Sequence, residues 1–329
     1  MNSLKSSLQL VVFMLVFGPA AAPQEPTFNA QANVVVVPTL VRDGSGSVVY
    51  GLQAKDFIIE DDGVEQVPYL DEAAEGEPVS LMIAVQSGRR AKREFDRMRG
   101  LPAALEPVLS QPDVETALVF FDSRLTLARD FTTNSELIES DLKNLETGDN
   151  GAAILDAVAY SVKLLNKRPE GRQRLLLLIS ETRDHGSHFA KLDDVVKLIG
   201  VMNTAVYALP FSPYVSQQLD VVRGADPDEW HGNVDIIEKL AAARQAMRRN
   251  APKTLATLSG GEYELFTSRK SFETKMNSFA NHVHGRYLLS FEPRSPRPGL
   301  HQIRVRLKDP VRDETVLFRS NYWAGGGGQ

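Results

Sequence analysis

Cysteine is missing from all 329 residues, and its absence removes several kinds of chemistry. Without it there is no disulfide framework, no thiol nucleophile and no thiolate metal site. The sequence also lacks a phosphate-binding glycine motif and a dinucleotide fingerprint. Its formal net charge of −5 gives no electrostatic reason to expect nucleic acid as a partner. What is present is ordinary for a globular protein, with 43% hydrophobic and 24% charged residues.

The first 22 residues have the pattern of a secretory signal. Lys5 precedes an apolar run from Leu8 to Phe17, and small residues follow as far as Ala22. The run is shorter than the roughly 20 residues that a membrane-spanning helix needs, and an uncleaved anchor is the alternative. We expect 1–22 to be a signal peptide, the protein to be exported, and the mature chain to have no membrane span.

The rest of the chain divides into a β-rich flank (28–75), a strand–helix alternation (79–284), a second β-rich flank (285–324) and a glycine-rich tail (325–329) that we expect to be flexible. The predicted strands of the middle stretch are Ser80–Val85, Thr116–Phe121, Arg174–Ser180, Thr204–Leu209 and Glu262–Phe266. Strands that alternate with helices predict a doubly wound α/β domain with a mostly parallel sheet. Because a few strands alone are marginally stable, we expect the two flanks to join in one β-sandwich, with the α/β domain inserted between them.

Several short phrases together carry a family resemblance. They are Val48–Leu52, Asp56–Gly63, Phe121-Asp122, Asp130–Thr132, Leu155–Val158, Leu178–Glu181, Leu258–Tyr263, Tyr287–Pro293 and Arg319–Tyr322. Their order and spacing resemble a von Willebrand factor A-type (VWA) domain, in particular the bacterial VWFA-related proteins that place such a domain between β-rich flanks. The resemblance covers 28–323. It implies a Rossmann-like fold and a periplasmic or secreted protein-interaction module that is not an enzyme.

The resemblance also implies a metal-ion-dependent adhesion site, but this sequence lacks most of its ligands. The family motif is Asp-x-Ser-x-Ser, with a threonine from a second loop and an aspartate from a third. The residues at these positions here are Val85, Ser87, Arg89, Ala152 and Glu181. Mg²⁺ prefers about six oxygen ligands, so we expect a degenerate site with no metal or cofactor, or at most weak residual Mg²⁺. We expect Arg89 either to neutralise Glu181 or to lie on a solvated helix face.

Two further loops contain chemically capable residues. Asp184–His188 holds an acid, two histidines and a serine, but there is no Gly-x-Ser-x-Gly elbow and adjacent residues seldom converge into a triad. The long loop 211–233 carries Tyr214 and Trp230, which are residue types common in interfaces and equally suited to pinning the loop to its own domain.

Three functions are therefore open. We favour a metal-free interaction module with a protein partner, and its candidate contact residues are Ser87, Arg89, Glu181, Tyr214 and Trp230. The alternatives are metal-dependent adhesion through residual Mg²⁺ and an exported hydrolase that uses the Asp184–His188 loop. The sequence indicates neither the partner's identity nor the oligomeric state.

Overall fold

The computed structural model describes residues 34–71, 77–98, 100–211, 236–294, 297–310 and 313–324. The predicted signal peptide and the glycine-rich tail lie outside these residues. Among the helices that are described, none is both long enough and apolar enough to cross a bilayer.

The described residues form thirteen strands, eight α-helices and a 3₁₀ helix over Ala54–Asp56. The strands are β1 (Val35–Arg42), β2 (Phe57–Asp61), β3 (Val64–Gln66), β4 (Tyr69–Leu70), β5 (Val79–Gln86), β6 (Val114–Phe121), β7 (Leu125–Thr132), β8 (Gln173–Ser180), β9 (Ala205–Pro210), β10 (Tyr287–Phe291), β11 (Gly299–Leu307), β12 (Thr315–Phe318) and β13 (Asn321–Ala324). The helices are α1 (Arg89–Met98), α2 (Leu101–Leu109), α3 (Ser135–Lys143), α4 (Ile154–Asn166), α5 (Leu192–Val201), α6 (Ile236–Arg249), α7 (Ala251–Ser259) and α8 (Arg269–His282).

The central sheet has the strand order β7-β6-β5-β8-β9, and every neighbouring pair is parallel except β6 and β7. All eight residues of β5 are buried, which explains its unbroken apolar run. Leu81 and Ile83 pack on one face in a core that includes residues of α2 and α8, whereas Met82 and Ala84 pack on the other with α4 and α5. Helices thus cover both faces, as predicted for a doubly wound α/β domain.

The flanks combine strands from both ends of the chain into two antiparallel sheets, ordered β12-β1-β10-β4 and β13-β11-β2-β3. Val37 of β1 pairs with Leu289 of β10, and Ile59 of β2 pairs with Val305 of β11. These four side chains belong to a single buried cluster, so the sheets pack as a β-sandwich. The predicted fold class is confirmed, with the mostly parallel sheet lying between the two halves of the sandwich in the sequence.

Two local predictions differ from the structure. The predicted strand Glu262–Phe266 makes only isolated parallel bridges, from Tyr263 to Ala208 and from Phe266 to Phe211. It runs beside β9, where Pro210 has no N–H to donate, and a regular ladder does not form. Conversely, β7 was not predicted. It is an antiparallel edge strand without a fully buried residue, and so lacks the apolar run used to recognise its neighbours.

Candidate functional site

Three loops meet at the carboxyl edge of the central sheet. They are the turn after β5, the loop before α4 and the loop after β8. Arg89 N–H donates to the carbonyl of Asp149 (2.6 Å), and the N–H of Gly148 donates to the carbonyl of Ser87 (2.8 Å). His185 N–H donates to the carbonyl of Ala152 (3.2 Å). The structure therefore brings together the loops that hold the positions at which a degenerate adhesion site was predicted.

Glu181 lies at the centre of this edge and is only 5% exposed. Its Oε1 accepts a hydrogen bond from Gln86 Nε2 (2.8 Å) and lies 2.7 Å from His185 Nε2. A carboxylate only accepts, so this histidine nitrogen carries the hydrogen. The other carboxylate oxygen, Glu181 Oε2, lies 3.4 Å from the Arg90 guanidinium. Nitrogen donors thus surround the one carboxylate that occupies an adhesion-site position.

The arginine that contacts Glu181 is Arg90 and not Arg89, which corrects one of the two alternatives for Arg89. Helix α1 begins at Arg89, whose N–H is held by Asp149 and whose side chain is exposed. Successive helical residues are about 100° apart around the axis, so Arg90 turns toward Glu181 and Arg89 turns away from it. Arg89 therefore lies on the solvated face.

Mg²⁺ does not fit this arrangement. Val85 and Ala152 are fully buried in the two cores on opposite faces of the sheet, and neither side chain has an oxygen. Ser87 is 7% exposed and Glu181 is already bonded by nitrogen donors. A hard cation needs about six oxygen ligands and would meet the Arg90 guanidinium instead.

The loop after β8 uses its polar residues to secure helix α4. The Asp184 carboxylate accepts hydrogen bonds from the N–H of Leu155 (3.1 Å) and from Ser187 Oγ (2.6 Å). Ser187 Oγ in turn accepts from the N–H of Asp156 (3.1 Å). Since Ala153 at the N-cap makes no side-chain cap, this loop caps the helix from outside.

The same contacts do not assemble a hydrolase triad from Asp184, His185 and Ser187. In a Ser-His-Asp triad the histidine accepts the serine proton, but Ser187 donates to the Asp184 carboxylate instead. His185 is engaged by Glu181 and not by the serine. The polar groups of this loop act as structural supports.

Phe189 is the most exposed of the large hydrophobic side chains that the structure describes, at 87%. Its backbone is nevertheless fixed, because the Asp156 carboxylate accepts from the N–H groups of His188 (2.8 Å), Phe189 (3.1 Å) and Ala190 (2.5 Å). Asp156 itself is 5% exposed. Phe189 was not among the predicted contact residues, because residue type alone does not reveal which phenylalanine is exposed.

A second missed contact joins the β6–β7 turn to the loop before α4. The Asp149 carboxylate accepts from Ser123 Oγ, from the Ser123 N–H (3.0 Å) and from the Gly151 N–H (2.7 Å). These bonds, that of the Ser123 hydroxyl first, hold the pKa of Asp149 below its ordinary value. A Cβ on Gly151 would lie 2.6 Å from the Ser123 nitrogen, so the close approach requires glycine.

Of the predicted contact residues, Tyr214 and Trp230 lie outside the described residues. Ser87 and Glu181 are buried, at 7% and 5% exposure. Arg89 is exposed. The exposed groups described at this edge thus include Arg89, Arg90 and Phe189.

No protein-family model and no curated protein matches the chain. Among solved structures, it is similar to BatB from Bacteroides thetaiotaomicron (15% identity, 62% of this chain and 98% of that chain, TM-score 0.41). It is also similar to proximal thread matrix protein 1 from the mussel byssus (10% identity, 74% and 51%, TM-score 0.44). A third similar structure is the vWF domain of the type V pili tip protein Mfa5 from Porphyromonas gingivalis (13% identity, 33% and 39%, TM-score 0.30), so the match spans well under half of that chain.

All three TM-scores are below 0.5, and the fold assignment therefore rests on the strand order and helix packing described above. The buried parallel strand β5 at the centre, the antiparallel edge strand β7 and the helices on both faces form a VWA-like α/β domain.

Proposed function

We propose that this protein is an exported, non-enzymatic interaction module that binds a protein partner at the carboxyl edge of its central sheet without a metal ion. The observation that carries the proposal is the environment of Glu181. Gln86, His185 and Arg90 supply hydrogen-bond donors and positive charge where a bound cation would otherwise balance the carboxylate. Protein groups alone therefore supply the hydrogen bonds and the positive charge that the Glu181 carboxylate needs.

The exposed groups at this edge suit protein recognition. An aromatic ring on a fixed backbone loses little entropy on binding, and aromatic and arginine side chains are enriched among residues that dominate binding energy. Phe189 is held in this way by Asp156, while Arg89 and Arg90 add positive charge. We infer a partner surface with an apolar pocket for Phe189 and carboxylates for the arginines.

Export is supported by the signal-like segment 1–22, and the absence of an assembled triad among Asp184, His185 and Ser187 supports the non-enzymatic reading. Mass spectrometry of the protein recovered from its native host tests export, since removal of the first 22 residues is the expected result. An intact, cytoplasmic chain would contradict it.

Retention of a partner by the immobilised protein tests the binding edge. Material from the native envelope or medium is passed over the wild type, over Phe189→Ala and over Tyr50→Ala as a matched control, because Tyr50 is 65% exposed on the β-rich flank. We expect Phe189→Ala to lose the partner and Tyr50→Ala to retain it. The wild type is expected to retain the same amount of partner in EDTA as in Mg²⁺. Equal retention by both variants contradicts the assigned edge, and binding lost in EDTA and restored by Mg²⁺ contradicts metal independence.

Isothermal calorimetry tests the metal directly. Mg²⁺ added at millimolar concentration to the EDTA-treated protein is expected to give no binding heat. Saturable one-to-one binding would support the residual-magnesium alternative in place of our proposal.

A further inference from the structure

A compact cluster of one histidine and two aspartates lies in the β-sandwich. Asp61 ends β2, Asp62 follows it in the turn, and His301 lies on the neighbouring strand β11. One atom of each side chain lies within 4.8 Å of the other two. Side chains from the two ends of the chain therefore converge at a place in the sandwich that the proposed function does not use.

Two inner atoms of this cluster, one on His301 and one on Asp61, are buried and lack a hydrogen bond within the part of the chain that the structure describes. The side chains of His301 and Asp61 are 9% and 10% exposed, and neither His301 Nδ1 nor Asp61 Oδ1 has a hydrogen-bond partner among the described residues. His301 Nδ1 lies 3.4 Å from Asp61 Oδ1 and 3.1 Å from Asp62 Oδ2. Most buried polar atoms are hydrogen-bonded, so two such atoms that face each other without a bond need an explanation.

The outer atoms of the same side chains are held in place. His301 Nε2 donates to the carbonyl of Arg297 (2.7 Å), Tyr322 Oη donates to Asp61 Oδ2 (2.9 Å), and the N–H of Gln302 donates to Asp62 Oδ1 (2.9 Å). The Tyr322 ring also stacks on the imidazole, with the centroids 4.8 Å apart. A ring that donates from Nε2 presents the Nδ1 lone pair when it is neutral. Outer hydrogen bonds of this kind orient the ligands of metal ions in proteins.

The distances between the nitrogen and oxygen atoms of this cluster match those between neighbouring ligands of a zinc ion. Zn²⁺ binds nitrogen and oxygen at about 2.0–2.1 Å with tetrahedral geometry, which places neighbouring ligand atoms about 3.3 Å apart. The distances of 3.4 and 3.1 Å from Nδ1 to the two carboxylate oxygens bracket this value. A nitrogen donor beside two carboxylates also favours zinc or a related first-row cation over Mg²⁺.

We infer that Asp61, Asp62 and His301 form a binding site for a first-row divalent cation such as Zn²⁺, with the fourth position left to water. The ion links β2 to β11 and thereby fastens the N-terminal flank to the C-terminal flank. The competing occupant is a proton on Nδ1. The neighbouring carboxylates, that of Asp61 first and then that of Asp62, raise the pKa of His301 to about 10, which reflects the negative potential that would attract a cation.

Calorimetry with Zn²⁺ alone on the EDTA-treated full chain tests the site. We expect one-to-one binding with release of about one proton, measured by comparing buffers of different ionisation enthalpy, and a higher thermal unfolding midpoint in Zn²⁺. Asp61→Asn and His301→Gln are expected to abolish the binding. Tyr322→Phe, which removes only the outer hydrogen bond to Asp61, is expected to weaken it about tenfold.

His188→Gln is the matched control for binding by a surface histidine and is expected to bind Zn²⁺ like the wild type. The visible spectrum of Co²⁺ bound to the wild type keeps the test informative if His301→Gln does not fold, since a four-coordinate site with a nitrogen ligand is expected. The inference would be overturned if the wild type showed no one-to-one binding, if His301→Gln bound Zn²⁺ unchanged, or if His188→Gln lost the binding. A six-coordinate, all-oxygen Co²⁺ spectrum would overturn it as well.

Discussion

Gln86 and Glu181 bond each other twice. Gln86 Nε2 donates to the Glu181 carboxylate (2.8 Å), and the Glu181 N–H donates to Gln86 Oε1 (2.8 Å). Gln86 is the last residue of β5 and Glu181 follows the last residue of β8, so the pair joins the ends of two adjacent parallel strands. It also points the carboxylate toward protein donors, which is the basis for the proposed metal-free binding edge.

Gln86→Ala is expected to lower the free energy of unfolding by about 1–3 kcal/mol. The substitution leaves the buried Glu181 carboxylate and N–H each without one partner, and an unsatisfied buried group costs this much. Equilibrium denaturation with urea measures the loss.

Gln111→Ala is the matched control for Gln86→Ala. The Gln111 side chain bonds only the carbonyl of Pro107 in an exposed place, so its removal should cost less than about 0.5 kcal/mol. Equal losses in the two variants would show that the reciprocal pair does not stabilise the edge.

Asp156→Ala is expected to release the loop that presents Phe189. Three consecutive N–H groups, those of residues 188–190, lose their common acceptor. Amide hydrogen exchange of this segment should become at least tenfold faster, while β5 stays protected. Partner retention should fall with it, because binding then includes the cost of ordering the loop.

Asp130→Ala serves as the control, since the Asp130 carboxylate accepts from the N–H of its own neighbour Phe131 in an exposed position. Its effect on exchange at 188–190 should be negligible. Unchanged exchange in Asp156→Ala would mean that other contacts hold the loop.

Apolar periodicity was enough to predict the larger architecture. The unbroken run of β5 is typical of a strand with both faces buried, and the polar alternation of β11 is typical of a sandwich strand. The site was less predictable. Whether Arg89 or Arg90 reaches Glu181 depends on where helix α1 begins, which a run of basic residues does not reveal.

The cluster of Asp61, Asp62 and His301 was missed for a different reason. Asp61 and Asp62 lie in the phrase Asp56–Gly63, which carries part of the family resemblance, and His301 is about 240 residues away in the chain. Only the register of β2 against β11, which pairs Asp61 with Ile303, places them side by side. Local sequence patterns predict where the strands lie, but they do not predict which distant strands pair or in which register.

Acid should weaken the joint between the β6–β7 turn and the loop before α4. The pKa of Asp149 is held below its ordinary value by the Ser123 hydroxyl and neighbouring N–H groups. A carboxylate with a lowered folded pKa stabilises the fold above its unfolded pKa, near 3.8, and this contribution is lost as the pH falls through the folded value.

The free energy of unfolding, measured from pH 7 to pH 3, should therefore fall below about pH 4 by more in the wild type than in Asp149→Asn. Because Asp149 is exposed, solvent screening keeps the difference small. Identical pH profiles would show that these bonds do not stabilise the ionised form.

Arg319 connects the β-sandwich to the α/β domain through carbonyl oxygens. Its guanidinium donates to Asn321 (2.8 Å), to Val36 of β1 (3.3 Å), and to Ile199 (3.4 Å) and Gly200 in the last turn of α5. A cation at a helix C-terminus is favourable, but burial lowers the pKa of Arg319 to about 10, so desolvation opposes the charge. The net value of the guanidinium is thus smaller than the sum of its hydrogen bonds.

Arg319→Met should therefore lower the free energy of unfolding by about 2–3 kcal/mol, as the carbonyls lose their donor while the cost of burying a charge disappears. Arg306→Met is the matched control, because the Arg306 side chain is 52% exposed in a surface ion pair with Glu60 and should cost less than about 1 kcal/mol. Urea denaturation of both variants measures the two losses in the free energy of unfolding. If Arg319→Met costs no more than Arg306→Met, the carbonyls find other donors and the guanidinium does not hold the two parts together.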